Sequence, residues 1–432
     1  MKAYSKYKES GNNWIKNIPE HWSILNLKRF SSLVNGSTPQ SATNEYWDGD
    51  IVWVTPTDLG GLNGNKIISN STRKITELGL NNCGASLTPK GSIILSTRAP
   101  IGHLALTDVQ SCTNQGCKTI VPDFSRVNNV YLYYYLFVFK EILQSLGQGS
   151  TFVELSSQNL KDFISVLPPL LEQQTIADFL DHKTTQIDTL IEKKQQQIDL
   201  LQEEHKALII HAITKGTNPN VTMKDSGVEW LDEIPSHWEF VKTKYLFRLV
   251  TEKAPDDNDM ELLSLYTEIG VRPRKDLEAR GNKASTTDGY WIVKEGDIII
   301  NKLLAWMGAV GYSAYDGVTS PAYDILRKTV PLNSKFYHYL LRCGVVLPEF
   351  KRRSRGIMEM RLRLYFDELG QIPLVYPPES EQNQIVEYLE DLEENVNRTM
   401  SKITKEIELL QEYRMALIFE SVTGKIDVRT AV

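Results

Sequence analysis

The strongest constraint on this chain is that it states one plan twice. Ser10-Gly11-Asn12-Asn13-Trp14-Ile15-Lys16-Asn17-Ile18-Pro19-Glu20-His21-Trp22 returns as Ser226-Gly227-Val228-Glu229-Trp230-Leu231-Asp232-Glu233-Ile234-Pro235-Ser236-His237-Trp238, shifted by 216 residues. A second pair, Leu167-Pro168-Pro169-Leu170-Leu171-Glu172-Gln173-Gln174 and Tyr376-Pro377-Pro378-Glu379-Ser380-Glu381-Gln382-Asn383, is shifted by 209. Each half thus reads as an opening motif, a mixed globular domain, a Pro-Pro break and a long helix, so any fold must be built from two similar units.

The helices are the clearest local elements. Leu389, Val396, Ile403, Leu410 and Leu417 recur every seven residues, with Leu392, Met400 and Ile407 between them. Leu180, Ile187, Leu201 and Leu208 keep the same row in the first half, with Lys194 interrupting it and Ile191 and Ile198 filling the intervening turns. This is the period of a coiled-coil seam. Prolines precede each helix, where a missing amide donor costs little, and Gly216 and Gly424 follow. About 45 residues at ~1.5 Å each make a rod of about 65 Å. An exposed apolar strip is not stable alone, so the first partner expected for each is the other. Antiparallel pairing would give the chain an internal pseudo-twofold axis and make the helices a spacer. Leu180, Ile187, Ile191, Leu389, Val396 and Ile403 are the candidate partner-interface residues.

Between these elements, short apolar runs alternate with turn chemistry. Asp50-Ile51-Val52-Trp53-Val54 and Ser92-Ile93-Ile94-Leu95-Ser96 read as strands, and Asp297-Ile298-Ile299-Ile300 repeats the second of them. The predicted class is α+β: two strand-rich domains separated by two long helices forming an antiparallel coiled coil. The expected boundaries are 1–167 and 217–376 for the domains, with 168–216 and 377–432 for the helices and tail. The aromatic run Tyr131-Leu132-Tyr133-Tyr134-Tyr135-Leu136-Phe137 reads as a buried amphipathic helix in preference to a base-stacking platform, because Phe336-Tyr337-His338-Tyr339-Leu340-Leu341 stands in the corresponding place.

A net charge of −6 is unfavourable for phosphate binding, but it is unevenly spread. Ten acids against three bases lie between Glu379 and Glu412, which leaves the remainder near neutral. Between Glu349 and Arg363, six bases face Glu349 and Glu359. The arginines there, with planar forks suited to phosphate and guanine, are candidate DNA contacts: Arg352, Arg353, Arg355 and Arg361. Arg272 and Arg274 join them. So do the small polar groups Ser37 and Thr38 of Gly36-Ser37-Thr38-Pro39, and Thr55 and Asp58 of Thr55-Pro56-Thr57-Asp58. Arg98, after a strand in Ser96-Thr97-Arg98-Ala99-Pro100, and Lys302, in a similar place after Asn301, complete the set.

Chemistry of other kinds is not signalled. There is no phosphate loop, no Asn/Asp-Pro-Pro-aromatic methyltransferase tetrapeptide and no glycine-rich cofactor loop. Cys83, Cys112, Cys117 and Cys343 form no C-x-x-C pair, so free thiols are expected, with no metal site. No run of eighteen apolar residues occurs and the N-terminus is polar, so a cytoplasmic protein without a membrane span is expected. His21 and His237 are expected to cap or pack.

The Ile-Pro-x-His-Trp motifs, Gly36-Ser37-Thr38-Pro39 followed by Tyr46-Trp47-x-Gly49, the Pro-Pro-x-x-Glu-Gln helix starts, and Asn301-Lys302-x-x-x-Trp306 leading to Ser320-Pro321-Ala322-Tyr323 resemble the specificity subunits of Type I restriction-modification systems. The resemblance covers essentially the whole chain. It implies a non-catalytic subunit whose two target-recognition domains read a bipartite, asymmetric site in double-stranded DNA. Its expected partners are two adenine methyltransferase subunits and two restriction and translocation subunits. S-adenosylmethionine, ATP and Mg are expected on those partners only, and this chain is expected to hold no cofactor. A coiled-coil scaffold that binds protein alone is the competing reading.

Overall fold

The structure is a computed structural model and describes residues 2–62, 64–98, 100–148, 153–267, 269–276, 287–357 and 361–430. Ala99 and Glu359, which belong to motifs above, lie outside the described residues. Two compact units divide the chain: residues 1–194 with 405–432, and residues 195–404. Each unit takes one globular domain and one end of each long helix. The helices run over Leu170–Lys215 and Glu379–Val422.

Both helices begin as the proline pairs suggest. The Pro169 carbonyl accepts from the Gln173 amide at 3.0 Å, and the Pro378 carbonyl accepts from the Gln382 amide at 3.0 Å. Both end at a glycine in the left-handed region, Gly216 at φ 78° and Gly424 at φ 71°, where a side chain would be strained. Within the first unit the helices are antiparallel: Asp188 meets Arg414 at 2.8 Å and Lys194 meets Glu406 at 2.6 Å. The Lys194 interruption of the seam is therefore answered by a carboxylate from the other helix. In the second unit Ala212 and Ile213 share a core with Ile385, Val386 and Leu389, again antiparallel.

The seam residues are not a surface. Leu180 and Leu389 are fully buried, Ile187 and Ile403 nearly so, Ile191 packs against the first core and Val396 is half-buried. Leu180, Ile187, Ile191 and Leu389 pack inside this chain, against the adjoining domain and the end of the other helix. The helix ends are also more than a spacer. Leu180, Ile187 and Leu417 pack with Trp22 and Tyr131 in one core, and Ile213 and Leu389 pack with Trp238 and Tyr337 in the other.

Each domain is organised on an antiparallel sheet. In the first unit the strand order is Ser31–Asn35, Cys117–Pro122, Ile93–Ser96, Leu104–Thr107 and Ile67–Ile68, with the last strand added in parallel. In the second it is Phe247–Val250, Tyr323–Lys328, Ile298–Asn301 and Val310–Tyr312. A smaller three-stranded sheet in the first unit holds Trp47–Val54 at its centre. The aromatic run forms a helix over Asn129–Val138, but Tyr131 through Leu136 are all buried, so it is enclosed on every side instead of amphipathic. Its counterpart, Ser334–Arg342, is the amphipathic one of the pair. Among the described residues, no helix is long and apolar enough to cross a membrane. The four cysteines are free, and burial pushes the Cys112 thiol up to about 12.

Candidate nucleic-acid interface

The repeated motifs meet at the helix starts, and they do so twice in the same way. The Trp22 indole donates to Glu172 Oε1 at 3.1 Å, and His21 Nε2 lies 2.8 Å from Glu172 Oε2. In the other unit Trp238 and His237 reach Glu381 Oε2 at 3.0 and 2.8 Å. The carboxylate stands in the first turn of its helix, where exposed amides favour an anion. The next residue acts alike in both: Gln173 Oε1 accepts from the Asn128 amide at 2.8 Å, and Gln382 Oε1 accepts from the Asn333 amide at 2.9 Å. Trp22 and Trp238 are fully buried. Burying an indole of this size is worth about 4–6 kcal/mol before opposing terms. The Ile-Pro-x-His-Trp and Pro-Pro-x-x-Glu-Gln motifs are thus two halves of one clamp that ties each domain to a helix, and His21 and His237 meet its carboxylates from the exposed side.

The polar groups of the two candidate loops are half-buried and hydrogen-bonded within the chain. Thr55 and Asp58 form a reciprocal capping box on the short helix Pro56–Gly60. Asp58 accepts from the Thr55 amide at 2.8 Å and hydroxyl at 2.6 Å, and from the Thr72 amide at 2.8 Å and hydroxyl at 2.6 Å. Burial alone would raise its carboxyl, but the Thr55 and Thr72 hydrogen bonds outweigh it and hold the group below the usual carboxylate range. Four acceptor positions are filled, so in this structure Thr55 and Asp58 serve as capping groups. Ser37 is half-buried, its carbonyl accepting from the Trp53 indole at 2.9 Å and its Oγ from the Gly84 amide at 3.2 Å. Thr38 is half-buried and donates to Gln115. Gly36 precedes them because a Cβ would stand 1.8 Å from the Asn114 carbonyl oxygen.

The arginine-rich stretch carries less unpaired charge than its composition suggests. Arg352 and Arg353 both turn onto Glu349, whose side chain is only 5% exposed, and Arg355 reaches Asp367 at 2.8 Å and Glu368 at 2.7 Å. Glu349 and the pair Asp367 and Glu368, the last two outside the stretch first counted, offset much of that charge. Arg361 is exposed. Arg272 and Arg274 are separated: Arg272 is exposed beside the helix Ser334–Arg342, while Arg274 is half-buried after the strand Gly270–Pro273. Arg98 is 47% exposed and pairs with Glu154 at 3.0 Å, and Lys302 pairs with Asp324 at 3.0 Å.

Arg98 and Lys302 do not occupy one position. The Ser96 amide donates to His103 as the Asn301 amide donates to Ala309, which puts Lys302 in register with Thr97. The sequence offers no way to place that one-residue offset. Lys118, 5% exposed beneath Arg98 and Glu154, had no sequence signal, since it sits within an apolar strand.

Two α+β units built on one clamp define a duplicated, helix-linked protein. The chain belongs to the family described as the Type I restriction modification DNA specificity domain, whose model matches residues 19–200 and again residues 235–409. It is 40% identical over 192 residues to the Type I restriction enzyme MjaIX specificity subunit of Methanocaldococcus jannaschii, covering 44% of this chain and 43% of that one. With the EcoDI specificity subunit of Escherichia coli it shares 21% identity over 359 residues, 74% of this chain and 78% of the relative. The chain spans less than half the length of the first two curated relatives it matches. Among solved structures, the HsdS subunit from Thermoanaerobacter tengcongensis superposes with a TM-score of 0.60 at 15% identity, covering 95% of this chain and 98% of that one. A chain from a structure of a type I R-M system superposes with a TM-score of 0.65 at 14% identity, covering 95% and 99%. These likenesses establish the fold.

Proposed function

We propose that this protein is the DNA-reading subunit of a Type I restriction-modification complex. Each domain reads one half of a bipartite, asymmetric site in double-stranded DNA, and the chain directs partner methyltransferase and restriction subunits to it. The observation that carries the reading is the double match of the family model, once to each unit. The chain itself is non-catalytic. S-adenosylmethionine, ATP and Mg belong to the partners, two methyltransferase and two restriction subunits, in the cytoplasm. Reading takes place in the major groove, where the four base pairs differ, with backbone contacts holding register. The adenine to be modified is presented to a partner's pocket by flipping.

Methylome sequencing with and without the gene tests this. The expected result is the loss of one bipartite methylated motif. An unchanged methylome in cells that make the partners would sink the reading in favour of a scaffold that binds protein only. Removing one or two matched turns from both long helices should shorten the permitted spacer by a few base pairs and leave both half-sites intact. Altered half-sites with an unchanged spacer would defeat the ruler role of the helices.

A further inference from the structure

The two units can be aligned hydrogen bond by hydrogen bond, so each domain serves as the other's control. The Leu155 amide donates to the Thr97 carbonyl at 2.8 Å, and the Leu364 amide donates to the Lys302 carbonyl at 2.9 Å. Cys117 pairs across from Ser96, and Tyr323 pairs across from Asn301, so Lys118 and Asp324 occupy one position of the neighbouring strand. The isolated bridge between Gln148 and Glu154 matches the bridge between Arg355 and Arg363. Four equivalent pairs follow: Thr97 and Lys302, Lys118 and Asp324, Glu154 and Arg363, Gln148 and Arg355.

At all four the backbone is kept and the charge is not. The first unit has a base on the strand and an acid on the returning segment. The second has an acid on the strand and bases on both flanking segments. In the first unit Lys118 lies 3.3 Å from Glu154 Oε1 and 3.4 Å from Thr97 Oγ1, while Arg98 holds Glu154 Oε2 at 3.0 Å. These groups edge an open cleft of about 450 Å³ that also includes Asn35, Gln115 and Ser157. In the second unit Lys302 Nζ lies 3.0 Å from Asp324 and 3.3 Å from the Pro321 carbonyl oxygen.

Stability does not explain this pattern. A buried ion pair gains little over apolar packing, because desolvating both charges offsets their attraction. A fold that accepts Lys118 in one copy and Asp324 in the other does not require either sign there. Duplicated domains that read unlike half-sites must agree where they hold the fold, as the Glu-His-Trp clamp does, and differ where they meet the bases.

We propose that these charge-exchanged sheet ends determine base specificity, with exposed Arg98, positioned by Glu154 over the buried Lys118, directed at the acceptor-rich major-groove edge of guanine in one half-site, and the Lys302, Asp324 and Arg363 set reading a different base in the other. The planar fork of an arginine suits the O6 and N7 acceptors of guanine, and a carboxylate beside a cation adds an acceptor suited to the amino group of cytosine. The inference rests on the DNA-reading function above.

The full chain, assembled with its methyltransferase partner, would be offered double-stranded DNA libraries randomised at each half-site in turn, and the methylated products sequenced. Arg98→Gln, Lys118→Met and Glu154→Gln should each change base preference about tenfold or more at one or two positions of one half-site, leaving the other half-site as it was. Asp324→Asn and Lys302→Met should do the converse. Methylation that falls equally on all sequences, or an unchanged preference in every variant, would overturn the assignment. Arg98 is exposed, so Arg98→Gln carries the test even if a Lys118 variant fails to fold. Wild-type complex yielding no bipartite motif would instead remove the function on which the proposal rests.

Discussion

In the first unit the clamp carboxylate, Glu172, is 7% exposed and is met by three side chains: His21, Trp22 and Tyr4, whose hydroxyl donates to Oε1 at 2.6 Å. In the second, Glu381 is 19% exposed and is met by two, His237 and Trp238. The shared pair is what ties a domain to its helix. The additional tyrosine comes from the segment whose Lys2 bridges Asp427, so the first clamp is closed from outside by both terminal segments. The same motif therefore sits in a drier place in one copy than in the other, and burial sets its worth. Outside the clamp the difference is of another kind: the sheet ends keep their register and exchange their charges.

The largest expected effect follows from the clamp. Glu172→Ala leaves the buried Tyr4 hydroxyl and Trp22 indole without an acceptor and should destabilise the first unit by about 4 kcal/mol, whereas Glu381→Ala leaves only the Trp238 indole so and should cost the second about 2 kcal/mol. Unfolding in urea followed by hydrogen exchange resolves the two units. Equal losses would mean that the tyrosine and the deeper burial add nothing.

A second contrast is in pH. His338 stands where the first unit has Tyr133, in equivalent helices capped by Asn333 and Asn128. Burial first, then the Arg342 and Arg272 cations, push its imidazole down to about 3, and Nδ1 accepts from the Tyr312 amide at 3.1 Å. Glu390 and Glu393 line the same cleft. The folded value lies below the ordinary 6.5, so the unfolded chain takes up the proton first. The contribution is complete above pH 6.5 and is lost as pH falls from there toward 3. Between pH 7 and pH 4 the second unit should lose about 3 kcal/mol more than the His338→Tyr variant does, measured by thermal unfolding at each pH.

Smaller effects mark residues whose role lies within the fold. Asp58→Ala removes the returning half of a capping box and should cost about 1 kcal/mol with no change in base preference. A changed half-site would return Asp58 to the interface. Arg414→Ala breaks a partly exposed pair with Asp188 and should shift unfolding by about 0.5 kcal/mol or less, with DNA binding intact.

Much of the architecture is legible in the residues. The helix starts at Pro169 and Pro378, the stops at Gly216 and Gly424 and the strand Ile93–Ser96 depend on local chemistry and near-neighbour periodicity, so a linear reading captures them. The candidate site is less legible. Arg352 and Arg353 look like open cations in sequence and fold back onto Glu349, and Thr55 and Asp58 look like a polar loop but cap a helix.

The sequence by itself determined the duplication, the α+β class and the paired helices, because repeat, period and caps are properties of neighbouring residues. Only the tertiary structure decided which polar groups remain for a ligand. Arg98 and Glu154 lie 56 residues apart and Lys302 and Asp324 lie 22 apart, and whether a charge is spent on a partner or presented to solvent depends on which distant strand end arrives beside it.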